Sequence, residues 1–272
     1  MCMPELPEVK TVAKYLKQNL LDKKVTKIKI IYGKTIDSNS LDINLLIGQA
    51  LKDIQTKGKY LILDFDKYFL ISHLRMEGKY FIKDINDEVI KHEHIIIEFD
   101  KLSLRYHDTR KFGRMQLLLK ENLSKVKGLN ALAPEPFDQE MTKELLFNKL
   151  KNKRLPIKSI LLDQTIIAGL GNIYVDEVLF ASKISPLKLG KDITLKESAK
   201  IIGNSAEILK LAIEKGGTTI RSYTSSLGVE GGYQDFLKAH YRVNQKCFNC
   251  NEVINKIKVG GRGTYYCPNC QK

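Results

Sequence analysis

Two groups of residues in this sequence have types and spacings that could do chemistry. The first is Pro4-Glu5-Leu6-Pro7-Glu8-Val9. A proline at the start of a chain carries a free secondary amine, and a reference α-amino pKa of about 7.7–8.0 leaves a useful neutral, nucleophilic fraction near pH 7. Attack of such an amine on an aldehyde-level carbon gives an iminium ion, an electron sink, with Glu5 one residue away for proton transfer. The sequence opens Met1-Cys2-Met3, so this chemistry requires Pro4 to become terminal. The expectation is that Met3 is the true start and that its removal exposes Pro4. The same stretch also reads as a helix start, because proline and acidic residues suit a first turn, and Val9, Val12, Ala13, Leu16 and Leu20 mark one apolar face.

The second group is Cys247-x2-Cys250 and Cys267-x2-Cys270, with sixteen residues between the pairs. Each Cys-x-x-Cys turn presents two sulfurs, and the four together match a tetrahedral zinc site. Four protein ligands leave no open position, so the one zinc is structural, and the small ribbon around it depends on the metal to fold.

The elements that must position these groups fall into three regions. Short, closely spaced strand-like runs follow the first helix: Val25 to Ile30, Tyr60 to Phe65, Tyr68 to Ser72, Lys79 to Ile82, His94 to Phe99, Ser103 to Tyr106 and Arg114 to Leu119. Turn-sized gaps join them, which argues an antiparallel sandwich or barrel rather than βαβ units. At Ala133-Pro134-Glu135-Pro136 helical periodicity takes over, with helices expected over Thr142–Lys151, from Pro156 through Leu162, and over Thr194–Glu214. Gly169-Leu170-Gly171-Asn172 enters a helix in a way that lets backbone N–H groups approach an anion. It is not a dinucleotide fingerprint, since no strand leads into it and the third glycine is missing. The Gly/Ser-rich stretch Ser225–Gly232 has the composition of a substrate loop.

A formal charge of +14 and a pI near 9.4 suggest a polyanionic partner, with nucleic acid first and an anionic membrane surface second. No apolar run approaches the ~18–20 residues of a membrane span, and no cationic-then-apolar leader opens the chain. Lys57-Gly58-Lys59-Tyr60 puts two cations around a glycine at a strand entry, suited to a phosphate. Asp108-Thr109-Arg110-Lys111-Phe112-Gly113 offers a basic pair and an aromatic, as a wedge into stacked bases would.

In this order, these motifs resemble the bacterial formamidopyrimidine-DNA glycosylases (Fpg or MutM), which excise 8-oxoguanine. The resemblance covers nearly the whole chain, including His73-Leu74-Arg75-Met76, Gly217-Thr218-Thr219 and the four-cysteine tail. It implies an α+β multidomain fold: an N-terminal antiparallel β-sandwich with a flanking helix (1–133), a helix-two-turns-helix domain with a lesion-capping loop (134–237) and a zinc ribbon (238–272). It implies Pro4 as the nucleophile at sugar C1′, Glu5 as general acid/base, Lys59 at phosphate and lesion, and Met76, Arg110 and Phe112 in the gap left by a flipped nucleotide. Lys158, Asn172 and Arg262 would bind phosphates, with Arg262 also donating a proton during elimination, and His92 would add a DNA contact. The loop from Ser222 to Tyr233 would close over the extruded base. The implied partner is double-stranded DNA with oxidised purines or abasic sites, handled by a cytoplasmic, nucleoid-associated monomer.

Two other readings compete. A sister class, the endonuclease VIII enzymes, removes oxidised pyrimidines on the same scaffold, but typically has Gly where this chain has Leu6. A non-catalytic zinc-ribbon protein that only binds DNA lesions would not need Pro4, Glu5 and Lys59 intact.

Overall fold

The structure, a computed structural model, describes residues 3–218 and 231–272. The chain divides into two compact units, one built from residues up to Asn130 together with Thr218 and Gly231, the other from Ala131–Gly217 and Gly232–Lys272. The regions 134–237 and 238–272, separate in the sequence reading, fall largely within this second unit. The reason is chemical: Asp176 and Glu177 on one helix bond directly to the ribbon and to the segment entering it. Residues 219–230, which include the Ser222–Glu230 part of the expected lesion-capping loop, and Met1-Cys2 lie outside the described residues.

The first unit begins with α1 (Leu6–Leu20). Its N-cap is Glu5, which forms a capping box with Glu8: the Glu8 carboxylate accepts from the Glu5 N–H at 2.9 Å and the Glu5 side chain accepts from the Glu8 N–H, satisfying donors that a helix start leaves orphaned. A lone helix of this length is marginal in water; the buried stripe of Val9, Val12, Ala13, Leu16 and Leu20 holds it against the strands.

Eight strands follow: β1 (Lys27–Ile30), β2 (Leu51–Lys57), β3 (Tyr60–Phe65), β4 (Tyr68–His73), β5 (Lys79–Asp84), β6 (Glu93–Phe99), β7 (Leu102–His107) and β8 (Arg114–Leu119). They form two four-stranded sheets, ordered β1-β6-β7-β5 and β2-β3-β4-β8, and every described pairing in them is antiparallel. Alternation decides the faces. Leu61, Leu63 and Phe65 of β3 enter the same core as Ile95, Ile97 and Phe99 of β6. The sandwich expectation holds, while β2 escaped the sequence reading because Leu51-Lys52-Asp53-Ile54-Gln55-Thr56-Lys57 carries only two apolar residues. The unit closes with α2 (Lys127–Asn130).

The second unit contains α3 (Lys143–Leu150), α4 (Ile157–Leu161), α5 (Asn172–Ser182) and α6 (Leu195–Glu214). Thr142 and Thr194 cap α3 and α6 rather than beginning them: their hydroxyls accept from Leu145 N and Glu197 N, each at 3.1 Å. The ribbon hairpin is β9 (Asn255–Val259) and β10 (Arg262–Tyr266). Its turn is Gly260-Gly261, with φ of 55° and 78°, a region that favours glycine. Arg262 therefore stands at the first position of β10, paired with Val259, rather than mid-turn.

Candidate functional site

In the first unit, Pro4 and Glu5 are both buried at the start of α1. Glu8, which the sequence offered only as a helix-start residue, organises this end of the chain. Its Oε2 takes the Glu5 N–H, and its Oε1 accepts from Thr218 N at 2.8 Å and Thr218 Oγ1 at 3.1 Å. One carboxylate thus fixes the backbone of Glu5 and ties it to Thr218, a residue far away in sequence.

Lys59 follows Gly58 in the tight turn joining β2 and β3, where Gly58 has φ 55°. The Lys59 side chain is almost fully buried. Close by is His73, the last residue of β4, whose ring meets Tyr60 edge-on at 4.6 Å. Burial, then the charges of Arg75 and Lys59, pull the His73 pKa down to about 3. Its Nδ1 accepts from Arg75 N at 3.0 Å, so the neutral ring carries its proton on Nε2. A lowered histidine pKa costs stability as pH falls below the unfolded value of 6.5. Between about pH 7 and about pH 5.5 the loss assigned to His73 is about 1 kcal/mol. Urea unfolding at both pH values should show a smaller acid-induced loss in His73→Gln than in the parent; equal losses would contradict this.

The loop that carries Arg110 and Phe112 is held from beneath by Asp108, which is fully buried. Its Oδ1 accepts from Arg110 N at 2.9 Å and its Oδ2 from Gly113 N at 2.8 Å. A Cβ at Gly113 would lie 1.5 Å from the Tyr106 hydroxyl, so this position excludes any side chain. Arg110 and Phe112 are exposed, with the guanidinium carbon 4.8 Å from the ring centroid. Met76 is half-buried on the neighbouring loop, and Thr109 Oγ1 donates to Glu77 between the two loops. His92 is partly exposed beside this scaffold, its carbonyl accepting from Asp108 N at 3.0 Å.

In the second unit the structure brings Lys158, Asn172 and the Arg262 hairpin together. Lys158 Nζ and Asn172 Nδ2 both donate to the Gly263 carbonyl, at 3.0 and 3.1 Å. Arg262, one residue earlier, is exposed. Lys158 differs from the sequence expectation: its side chain is fully buried and its ammonium is paired with Asp176 at 2.6 Å. In this arrangement it holds the hairpin in place, and the outward cation is Arg262. Asp176 is a hub that sequence reading missed, since an acid on a largely apolar helix gives no signal of its distant partners. Besides Lys158 it bonds His240 Nδ1 at 2.7 Å and accepts from Tyr265 N at 3.1 Å. Next to it, Glu177 takes the N–H groups of Lys238, Ala239 and His240. Burial pushes the Glu177 carboxyl up, against those three bonds. Asp176→Ala should cost about 3–5 kcal/mol, because it removes the carboxylate that neutralises a buried ammonium. Unfolding that matches the parent would show that the network contributes nothing.

The four sulfurs of Cys247, Cys250, Cys267 and Cys270 all lie within 4.8 Å of one another. Cys247 and Cys270 are 3.9 Å apart, and Cys250 and Cys267 are 3.5 Å apart. A tetrahedral ion with Zn–S bonds of about 2.3 Å places sulfurs roughly 3.8 Å apart, so the cluster fits zinc.

Comparison with known proteins places this arrangement. Residues 3–115 match the formamidopyrimidine-DNA glycosylase N-terminal domain, 132–224 the formamidopyrimidine-DNA glycosylase H2TH domain, and 244–272 the zinc finger found in FPG and IleRS. The chain is 46% identical over 272 residues to the formamidopyrimidine-DNA glycosylase of Ligilactobacillus salivarius, covering 99% of each chain. It is 42% identical to that of Streptococcus pneumoniae serotype 4, again over 99% of each. Among solved structures it resembles a Lactococcus lactis FPG mutant in complex with Fapy-dG-containing DNA. There the TM-score is 0.93 and the identity 39%, over 99% of this chain and 100% of that one. It matches equally well the Lactococcus lactis Fpg in complex with abasic-site DNA, with TM-score 0.93 and 38% identity over the same shares. The chain belongs to the formamidopyrimidine-DNA glycosylase family. Its zinc-finger match and four-cysteine cluster together identify the ribbon as a metal site. Among the described residues, no helix is long and apolar enough to cross a membrane.

Proposed function

We propose that this protein removes oxidised purines, 8-oxoguanine and formamidopyrimidines, from double-stranded DNA, and then cuts the strand as an abasic-site lyase. The observation that carries the reading is the Pro4-Glu5 start of α1, fixed by Glu8, in a member of this family. The Pro4 amine attacks C1′ and the glycosidic bond breaks, the base leaving with the bonding pair and a proton. Glu5 protonates the ring oxygen as the C1′–O4′ bond opens, giving the iminium ion. The iminium acidifies the C2′–H bond; its loss expels the 3′-side phosphate, and a second elimination expels the 5′-side phosphate. C1′ cannot be reached inside an intact stack, so the nucleotide must be flipped out. Met76, Arg110 and Phe112 fill the gap it leaves.

Lys59 contacts the lesion-side phosphate. Asn172 and Arg262 bind phosphates from the second unit, where Lys158 sets the hairpin, and Arg262 also serves elimination as a proton donor. His92 adds a backbone contact. The sandwich (1–133) carries the chemistry, while the helical region (134–237) and the ribbon (238–272) grip DNA, giving the protein a DNA-associated location. The test is an assay on duplexes carrying 8-oxoguanine or an oxidised pyrimidine. Preferred cleavage of the 8-oxoguanine strand, leaving phosphate at both ends of a one-nucleotide gap, is expected. Preference for the pyrimidine lesion would assign the sister activity.

One zinc per chain holds the ribbon. Crowding of neighbouring thiols pushes Cys270 up to about 12, while a hydrogen bond from Asn269 first of all brings Cys250 down to about 6; a bound cation replaces this unequal sharing with four thiolates. Metal analysis should return one zinc, and Cys250→Ser should lose it together with most DNA affinity, because Arg262 is carried by the ribbon. DNA binding that survives complete chelation would contradict this role.

A further inference from the structure

The first unit contains a cleft of about 600 Å³ that the proposed chemistry does not use. It lies on the outer face of the β2-β3-β4-β8 sheet, over Ile71 and Leu118, between the Asp37–Leu41 segment and the Asn122–Gly128 segment. Four cations line it: Arg75, Arg114, Lys125 and Lys127, all exposed. None of the four has a carboxylate partner among the described residues, although ion pairs are frequent elsewhere in this unit. Arg114 is half-committed. Its Nη1 closes the loop that carries Arg110 and Phe112 onto the carbonyls of Lys111, Phe112 and Gly113, which leaves the Nη2 edge of the guanidinium for something else.

His73 also lines the cleft. With its Nδ1 taken by Arg75 N, its Nε2–H is a neutral donor with no partner among the described residues. Only one acid, Asp37, lines the cleft, and its Oδ1 is engaged by Asn39 N at 2.9 Å. The lining is therefore rich in donors and positive charge, the chemistry that recognises a phosphate. The apolar floor and the amides of Gln116 and Asn122 add what a sugar and base would need. The volume lies within the range of about 300–1,000 Å³ typical of small-ligand sites.

We propose that this cleft binds a nucleoside phosphate, with its phosphate on the Arg114–Lys125–Lys127 side. The ligand is either the phosphorylated end of a cut strand or a free mononucleotide. Tyr60 and His73 lie in the cleft and Lys59 precedes Tyr60 in the chain, so a site here adjoins the residues proposed to act at the lesion.

The experiment titrates the full-length, zinc-loaded protein with four probes: inorganic phosphate, a deoxynucleoside monophosphate, and a short single strand ending in 3′-phosphate or in 3′-hydroxyl. Amide chemical shifts are followed by NMR. Saturable shifts at Gln116, Asn122 and Lys127, with Kd below about 1 mM for a nucleoside phosphate, are expected. Lys125→Glu/Lys127→Glu, at exposed positions outside the catalytic and DNA-gripping set, should weaken this binding by about tenfold or more. The same variant should trap to an 8-oxoguanine duplex under borohydride as the parent does, which separates this site from the glycosylase reading. Tighter binding of the 3′-phosphate strand than of the mononucleotide assigns the strand end, and the reverse order assigns the free nucleotide. No saturable shift in the parent, an unchanged Kd in the double variant, or inorganic phosphate binding as well as the nucleotides would overturn the proposal.

Discussion

Glu5→Gln is expected to lower base release by about 10²- to 10⁴-fold, the usual contribution of a positioned general acid, while leaving affinity for lesion DNA near that of the parent. The two carboxylates at the start of α1 have different tasks. Glu8 is committed on both oxygens, to Glu5 N and to Thr218. Glu5 is the one whose backbone is held, so that its position is fixed by another residue's hydrogen bonds. Removing its proton while keeping its shape should therefore affect the rate and not the binding. Single-turnover excision measured alongside duplex affinity separates the two. Excision at the parent rate would remove Glu5 from the mechanism.

The second large effect concerns the Pro4 nitrogen. In a peptide bond its lone pair is delocalised into the preceding carbonyl, and it cannot attack C1′. Protein prepared with any residue retained before Pro4 should form no borohydride-trapped adduct, yet should still bind lesion DNA. Protein whose first residue is Pro4 should trap readily. Intact mass of each preparation defines its start, and equal trapping by both would show that the nucleophile is another amine.

Much of this architecture was legible in the sequence because the chemistry forced it. The Cys-x-x-Cys pairs specify a tetrahedral cluster by spacing alone, and their sulfurs do converge. The alternation of Leu61, Leu63 and Phe65 announces an inward strand face, which the sandwich core uses. The limits were equally physical. Strand β2 is polar on its outer face and presents no apolar run. The family resemblance assigned Lys158 to a phosphate, and nothing in the sequence marks it as buried; only the fold supplies Asp176, eighteen positions later, to neutralise it. Glu8 looks in sequence like a first-turn acid, yet Thr218, 210 positions away, donates to its Oε1. Asp108 lay inside a motif chosen for its basic and aromatic residues, yet it is the group that shapes that loop. Hydrophobic periodicity carries no information about such polar pairs, whether the partner is two positions away, as Arg110 is from Asp108, or 210, as Thr218 is from Glu8.

The central claim is that Pro4 is the covalent nucleophile on a damaged purine nucleotide. The most direct measurement is borohydride reduction of the protein on a duplex containing one 8-oxoguanine, followed by proteolysis and mass mapping of the cross-linked peptide. The account predicts a single adduct on the peptide that begins at Pro4, with the deoxyribose remnant on its N-terminal nitrogen. An adduct on a lysine peptide, or none under conditions where the damaged strand is cut, would contradict it.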